Sequence, residues 1–174
     1  MKRVTLEDIY VHPIVQKYVR RSGMAHAISV AHKAYELATK YNVNPELAVK
    51  AGFLHDIGHY TWYNKGEWDY EQYKACDIHP IKGAERAHKL LVRLGEDKQA
   101  AKEIAHAILF HTESALPSGD FNRSPLQEVV HLADELDKQP NDAHHYEQIN
   151  HQEELKQIRQ LDDQLSHTNV LTGS

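Results

Sequence analysis

The chain has 174 residues, 41% of them hydrophobic and 26% charged, with a net charge of −5. This length suits one domain with a sizeable core, and the acidic balance gives no electrostatic case for nucleic acid or an anionic membrane as the main partner. Cys76 is the single cysteine, so an internal disulfide is excluded and a reduced, cytoplasmic setting is expected; neither a secretory signal nor a membrane span is legible.

In chain order, nearly every periodic segment reads as helix. Pro13 suits the first turn of a helix running to Arg20 or Arg21, broken by Ser22-Gly23. Ala25 to Tyr41 carries apolar residues at Ile28, Ala31, Ala34, Tyr35 and Ala38, a helical spacing. Asn44 caps a further helix with Pro45 at its first position, expected to end near Gly58. Tyr60 to Asp77 lacks a clean period and reads as a long loop with one short helix. Helices follow over Pro80 to Leu94 and Glu96 to His111. After a loop containing Pro117 and Gly119, another helix runs from Ser124-Pro125 to Leu136. The last segment, Asn141 to Leu165, is polar with a thin apolar stripe at Ile149, Leu155, Ile158 and Leu161, suited to packing on the body or on a second copy in a homodimer; His167 to Ser174 reads as frayed. No strand is expected.

Chemistry-bearing residues stand at the ends of these segments. His55-Asp56 closes the run Ala51-Gly52-Phe53-Leu54 and precedes Ile57-Gly58-His59. With 14 histidines in the chain, chance alone supplies about one His-Asp pair, so only its partners give it weight. His26 begins the Ala25 helix, His79 precedes Pro80, His111 closes an apolar run, and Asp134 follows Val129-Val130-His131-Leu132-Ala133. An acid behind such a run is costly unless it is paired or coordinates something. Asp134 could instead pair with Lys138, and His106 competes with His111 from a face about 140° round the helix.

His26-x-x-x-Val30 with Ala34, Gly52 to Gly58 around His55-Asp56, His79-Pro80-x-x-Gly83-Ala84, His111-Thr112 and Ala133-Asp134 together resemble the successive signatures of the HD-domain metal-dependent phosphohydrolase superfamily, over about residues 22 to 138. The resemblance implies an all-α, single-domain HD-type helical bundle over residues 1–140, with a C-terminal helix and tail in 141–174. It implies two divalent transition-metal ions (Fe, Mn, Co, Ni or Zn): His26, His55 and Asp134 on one, His79 and His111 on the other, and Asp56 bridging both. Among two-metal branches the pattern looks most like the bacterial symmetrical bis(5′-nucleosyl)-tetraphosphatases, although His59 stands where a lysine is common and Glu135 to Lys138 where that branch has an arginine-containing motif.

Two cations about 3.5–4 Å apart can generate a hydroxide nucleophile and offset charge on phosphoryl oxygens, so the implied activity is hydrolysis of a phosphate ester or anhydride in a small, nucleotide-like substrate such as a dinucleoside polyphosphate. Asp56 is the catalytic centre of that reading, with His59 as a phosphate-positioning or acid group. Lys82 is the favoured phosphate contact among Lys65, Lys82, Arg86, Arg123 and Lys138. Trp62, Tyr63, Trp68, Tyr70 and Tyr73 could stack on a base or simply cover the core. His32, His88, His131, His144, His145, His151 and His167 read as structural or surface residues. The alternative function is a non-catalytic, metal-stabilised nucleotide-binding or regulatory module.

Overall fold

The computed structural model describes residues 3–59, 63–64, 67–113, 121–138 and 149–171. Among these the chain is helical except for one antiparallel pair of two-residue strands, so the all-α expectation holds. The candidate residues Trp62, Lys65, His144 and His145 lie outside the described residues, as do the side chains of Tyr63, Trp68 and Lys138.

Helix α1 (Leu6–Tyr10) is too short for a period to reveal. A Thr5–Asp8 capping box starts it, and it buries Leu6, Ile9 and Tyr10. Helix α2 (Pro13–Ser22) begins on a proline, and α3 (Met24–Lys40) follows Gly23, whose φ of 120° turns the chain between them. Helix α4 (Pro45–Leu54) starts at Asn44, as the sequence indicates, but stops before Gly58. Ile57 N–H and His59 N–H donate three residues back, to Leu54 O and Asp56 O, and tighten residues 55–58 into turns.

Strands β1 (Tyr63–Asn64) and β2 (Glu67–Trp68) form a hairpin too short to leave an alternating pattern. The expected short helix in this loop is α5 (Tyr70–Cys76), capped by Asp69. Helix α6 (His79–Leu94) ends at the left-handed Gly95, after which Glu96 N–H donates back to Leu91 O. That bond assigns Glu96 to the end of α6, so α7 (Lys98–Leu109) starts at the Asp97 cap and stops short of His111. Helix α8 (Pro125–Lys138) begins at a reciprocal Ser124–Gln127 cap.

Helix α9 (His151–Leu171) corrects two expectations. It starts well after Asn141, with residues 141–148 outside the description, and it stays helical past His167. The Thr168 hydroxyl pairs with that of Tyr35 on α3 at 2.7 Å, a contact no local pattern could indicate.

Helix α3 lies at the centre, packed on α4 and α8, while α6 packs on α7 and α4 on both α7 and α8. Ala34, Ala38 and Ala48 let α3 and α4 approach closely, and a Cβ on Gly52 would meet Ala34 Cβ at 3.2 Å. Helix α9 places Ile158, Leu161 and Leu165 in the main core and closes over α1. Its Asp162 accepts the N–H groups of Leu6 and Glu7 at 2.8 and 3.0 Å, and its buried Glu154 accepts from the Tyr10 hydroxyl and the Arg20 guanidinium. No described helix is long and apolar enough to cross a membrane.

Candidate metal centre

The ends of α3, α4, α6 and α7 converge with the middle of α8 on one buried point. His26 lies in the first turn of α3, His55 and Asp56 in the turn leaving α4, His79 at the start of α6, His111 two residues past α7, and Asp134 inside α8. All six are buried. Close backbone approach makes this possible. A Cβ on Gly58 would overlap Gly83 N and His79 O, so only glycine lets the turn carrying Asp56 lie against the first turns of α6.

The donors form two triplets, His26/His55/Asp134 and Asp56/His79/His111, each able to hold a metal ion. In the first, His26 Nε2 is 3.1 Å from His55 Nε2 and 3.1 Å from Asp134 Oδ1, and His55 Nε2 is 3.2 Å from Asp134 Oδ1. In the second, His79 Nε2 is 3.3 Å from His111 Nε2. Asp56 divides its carboxylate between them: Oδ2 is 3.2 Å from His55 Nε2 and 3.6 Å from His26 Nε2, whereas Oδ1 is 3.6 Å from His79 Nε2 and 3.7 Å from His111 Nε2.

The chemistry of the donors fits cations. The Nδ1 atoms of His55 and His111 lie 2.6 Å from Gly52 O and Ile108 O, which only accept, so both nitrogens carry the proton. His26 Nδ1 and His79 Nδ1 likewise face carboxylates, Asp137 at 2.6 Å and Asp77 at 2.5 Å. In their neutral forms all four rings therefore present Nε2 lone pairs to the centre. Lone pairs aimed at each other and at carboxylates repel unless a positive charge stands between them. Donors about 2.1 Å from a shared ion, at angles near 90–110°, lie roughly 3–3.5 Å apart.

The electrostatics agree. Burial opposes charge on His55, but Asp56 and Asp134 outweigh it and hold the imidazole well above its usual pKa. The same field that draws a proton to Nε2 draws a metal ion. Burial also works to raise the Asp56 and Asp134 carboxyls, yet the surrounding imidazoles, His55 foremost, keep both well below the ordinary range. Burial and the neighbouring His55 push His111 down to about 4, which keeps it neutral.

The other candidates fall around this centre. The His59 ring stacks on His79 at 4.9 Å and on Tyr73 at 6.1 Å, beside the second triplet. Tyr70 stacks on Tyr73 and is exposed. Lys82 is exposed on α6, next to Gly83. Arg86 donates to Ile57 O at 2.6 Å with its guanidinium 3.7 Å over the Tyr18 ring, and Arg123 donates to Phe110 O at 2.7 Å, so both brace the backbone beside the ligands. His106 is exposed on α7, apart from both triplets.

Four supporting residues were not foreseen. Asp77, Asp137, Ser29 and Lys33 sit behind the histidines. Their signal was spacing: Asp77 is two residues before His79, Asp137 one helical turn after Asp134, and Ser29 and Lys33 one and two turns after His26. His131, read as structural, donates from Nδ1 to His111 O at 2.8 Å.

The family model described as "HD domain" matches residues 23–139. The chain is 59% identical over 162 residues to a Bacillus subtilis (strain 168) protein named "Putative phosphohydrolase YueE", covering 93% of this chain and 92% of that protein. It is also 31% identical over 109 residues to a Ribonuclease Y of Alkaliphilus metalliredigens (strain QYMF), covering 62% of this chain and 18% of that protein. No solved structure matches the chain.

Proposed function

The chain belongs to the HD-domain family, and we propose that it is a dinuclear-metal phosphohydrolase acting on a small phosphorylated, nucleotide-like substrate. The observation that carries this reading is the division of the Asp56 carboxylate between two His-containing triplets. His26, His55 and Asp134 would hold one divalent ion, His79 and His111 the other, and Asp56 both. Bound there, such ions lower the pKa of a water and offset charge on phosphoryl oxygens.

The protein's own part is to turn the Nε2 atoms of four imidazoles inward by pinning each Nδ1, and to hold two carboxylates ionised under burial. His59, stacked on His79, borders the second position and is assigned to orienting the phosphoryl group. Lys82 is assigned to a phosphate contact at the rim, supported by its exposed place beside Gly83. A dinucleoside polyphosphate is the candidate substrate, on the resemblance of the ordered His and Asp motifs. Similarity to a protein named as a phosphohydrolase supports the reaction class.

Elemental analysis of the purified protein, beside a hydrolysis screen of mononucleotides, dinucleoside polyphosphates and cyclic nucleotides, tests this reading. The expected result is bound transition metal approaching two ions per chain and release of a phosphate product. Asp56→Ala should remove activity by at least about a thousandfold while the circular dichroism spectrum stays helical. Metal and ligand binding without turnover would leave a regulatory module instead.

A further inference from the structure

One arrangement behind the first triplet is more elaborate than its counterparts. His55 and His111 donate Nδ1–H to backbone carbonyls of their own turns, but His26 donates to Asp137, a side chain from another helix. The Asp137 carboxylate is fully buried and uses both oxygens. Oδ2 accepts from His26 Nδ1–H at 2.6 Å, and Oδ1 accepts from Ser29 Oγ at 2.5 Å and from Lys33 Nζ at 2.9 Å. Lys33 Nζ also donates to Ser29 Oγ at 2.8 Å. His26, Ser29 and Lys33 recur at helical spacing on α3, as Asp134 and Asp137 do on α8. Beside their apolar packing, the two helices are thus joined by one pair at the centre, His26–Asp134, and one relay behind it.

We propose that Asp137 is a positioning residue for the metal ion held by His26, and that Lys33 and Ser29 set how strongly it acts. A buried carboxylate behind a ligating imidazole fixes the ring's tautomer and raises the donor strength of Nε2. Left alone, that carboxylate would be an uncompensated buried charge free to turn toward the ions itself. The Lys33 ammonium, partly exposed at 29%, neutralises it from the solvent side, and the serine hydroxyl holds its second oxygen away from the centre. The relay therefore acts on the first position alone. His79 of the second position has a separate partner in Asp77, two residues away in the same segment.

This inference rests on the two-metal reading, and a titration distinguishes their failures. Metal-stripped wild-type protein is titrated with cobalt(II) against a competing chelator while its visible absorption is followed. Absence of any tight cobalt site in the wild type would overturn the metal reading itself. Given two sites, Asp137→Ala should weaken one of them by about 10–100-fold, leave the other within about threefold, and alter one component of the cobalt spectrum. Asp137→Asn, which can still accept from His26 without a charge, should recover part of that loss. Lys33→Met, at a partly exposed position that leaves the buried packing intact, should shift the affinity of the same site and not the other. Should Asp137→Ala fail to fold, the Asn and Met variants carry the test. Wild-type affinities at both sites in the folded variants, or equal losses at both, would overturn the proposal.

Discussion

At Gly58 the absence of a side chain does as much as any ligand. A Cβ there would overlap the main chain of α6 at Gly83 and His79, which cannot yield without moving a donor. Gly58→Ala is expected to destabilise the protein by about 3 kcal/mol in urea denaturation. Gly83→Ala, whose Cβ would sit 3.2 Å from Gly58 N and from an Ile108 methyl, should cost about 1 kcal/mol. Wild-type stability in Gly58→Ala would show that the seam between turn and helix can open without cost. The histidines make a second prediction, about pH. His26 and His55 have raised pKa values, because their carboxylate partners outweigh the burial that opposes their charge. In metal-stripped protein the stability they confer is complete below the unfolded value of about 6.5 and is lost as pH rises through their folded values. Between those limits the stripped protein should weaken as pH rises. The loaded protein should do the reverse, because protons compete with metal for Nε2. Thermal melts of both forms across pH 6 to 9 check the opposite slopes.

The helices show what local pattern conveys and what it does not. Caps and prolines are local, so the starts of α2 and α4 were legible from Pro13 and Asn44-Pro45. The end of α4 was not, since the tight turns at 55–58 depend on the seam with α6. The order of His26, His55-Asp56, His79, His111 and Asp134 was legible as the successive motifs of a family resemblance, because each motif is a short local string. The relay through Asp137 was not, because its partners lie 104 to 111 residues away on another helix. Helix α9 is the clearest case: its thin apolar stripe gave no sign that Asp162 would cap α1 from 156 residues away. Asp162→Ala removes both acceptors from the Leu6 and Glu7 N–H groups and should cost about 1 kcal/mol, measured by chemical denaturation. No measurable loss would mean that the Thr5–Asp8 box suffices for α1.

For the whole molecule, the six candidate ligands tie five helices through a buried centre of like-facing donors. Metal should therefore contribute to global stability and not only to activity. Stripping with a strong chelator is expected to lower the thermal midpoint by several degrees, a loss restored by adding back divalent metal in excess of its dissociation constant. An unchanged midpoint would show that the centre is held by packing alone.

The closure of α9 over α1 also has a consequence in time. Tyr10 and Arg20 find their acceptor in Glu154, and the start of α1 finds its cap in Asp162. Every donor of the candidate metal centre, and Asp137 behind it, lies between residues 26 and 137. During synthesis the ligand-bearing helices are complete while the first two helices still await their partner, a delay of a few seconds at ~5–20 residues per second. The nascent chain can thus assemble its candidate centre before α1 and α9 are joined, and α9, emerging after that centre, acts as the latch on α1.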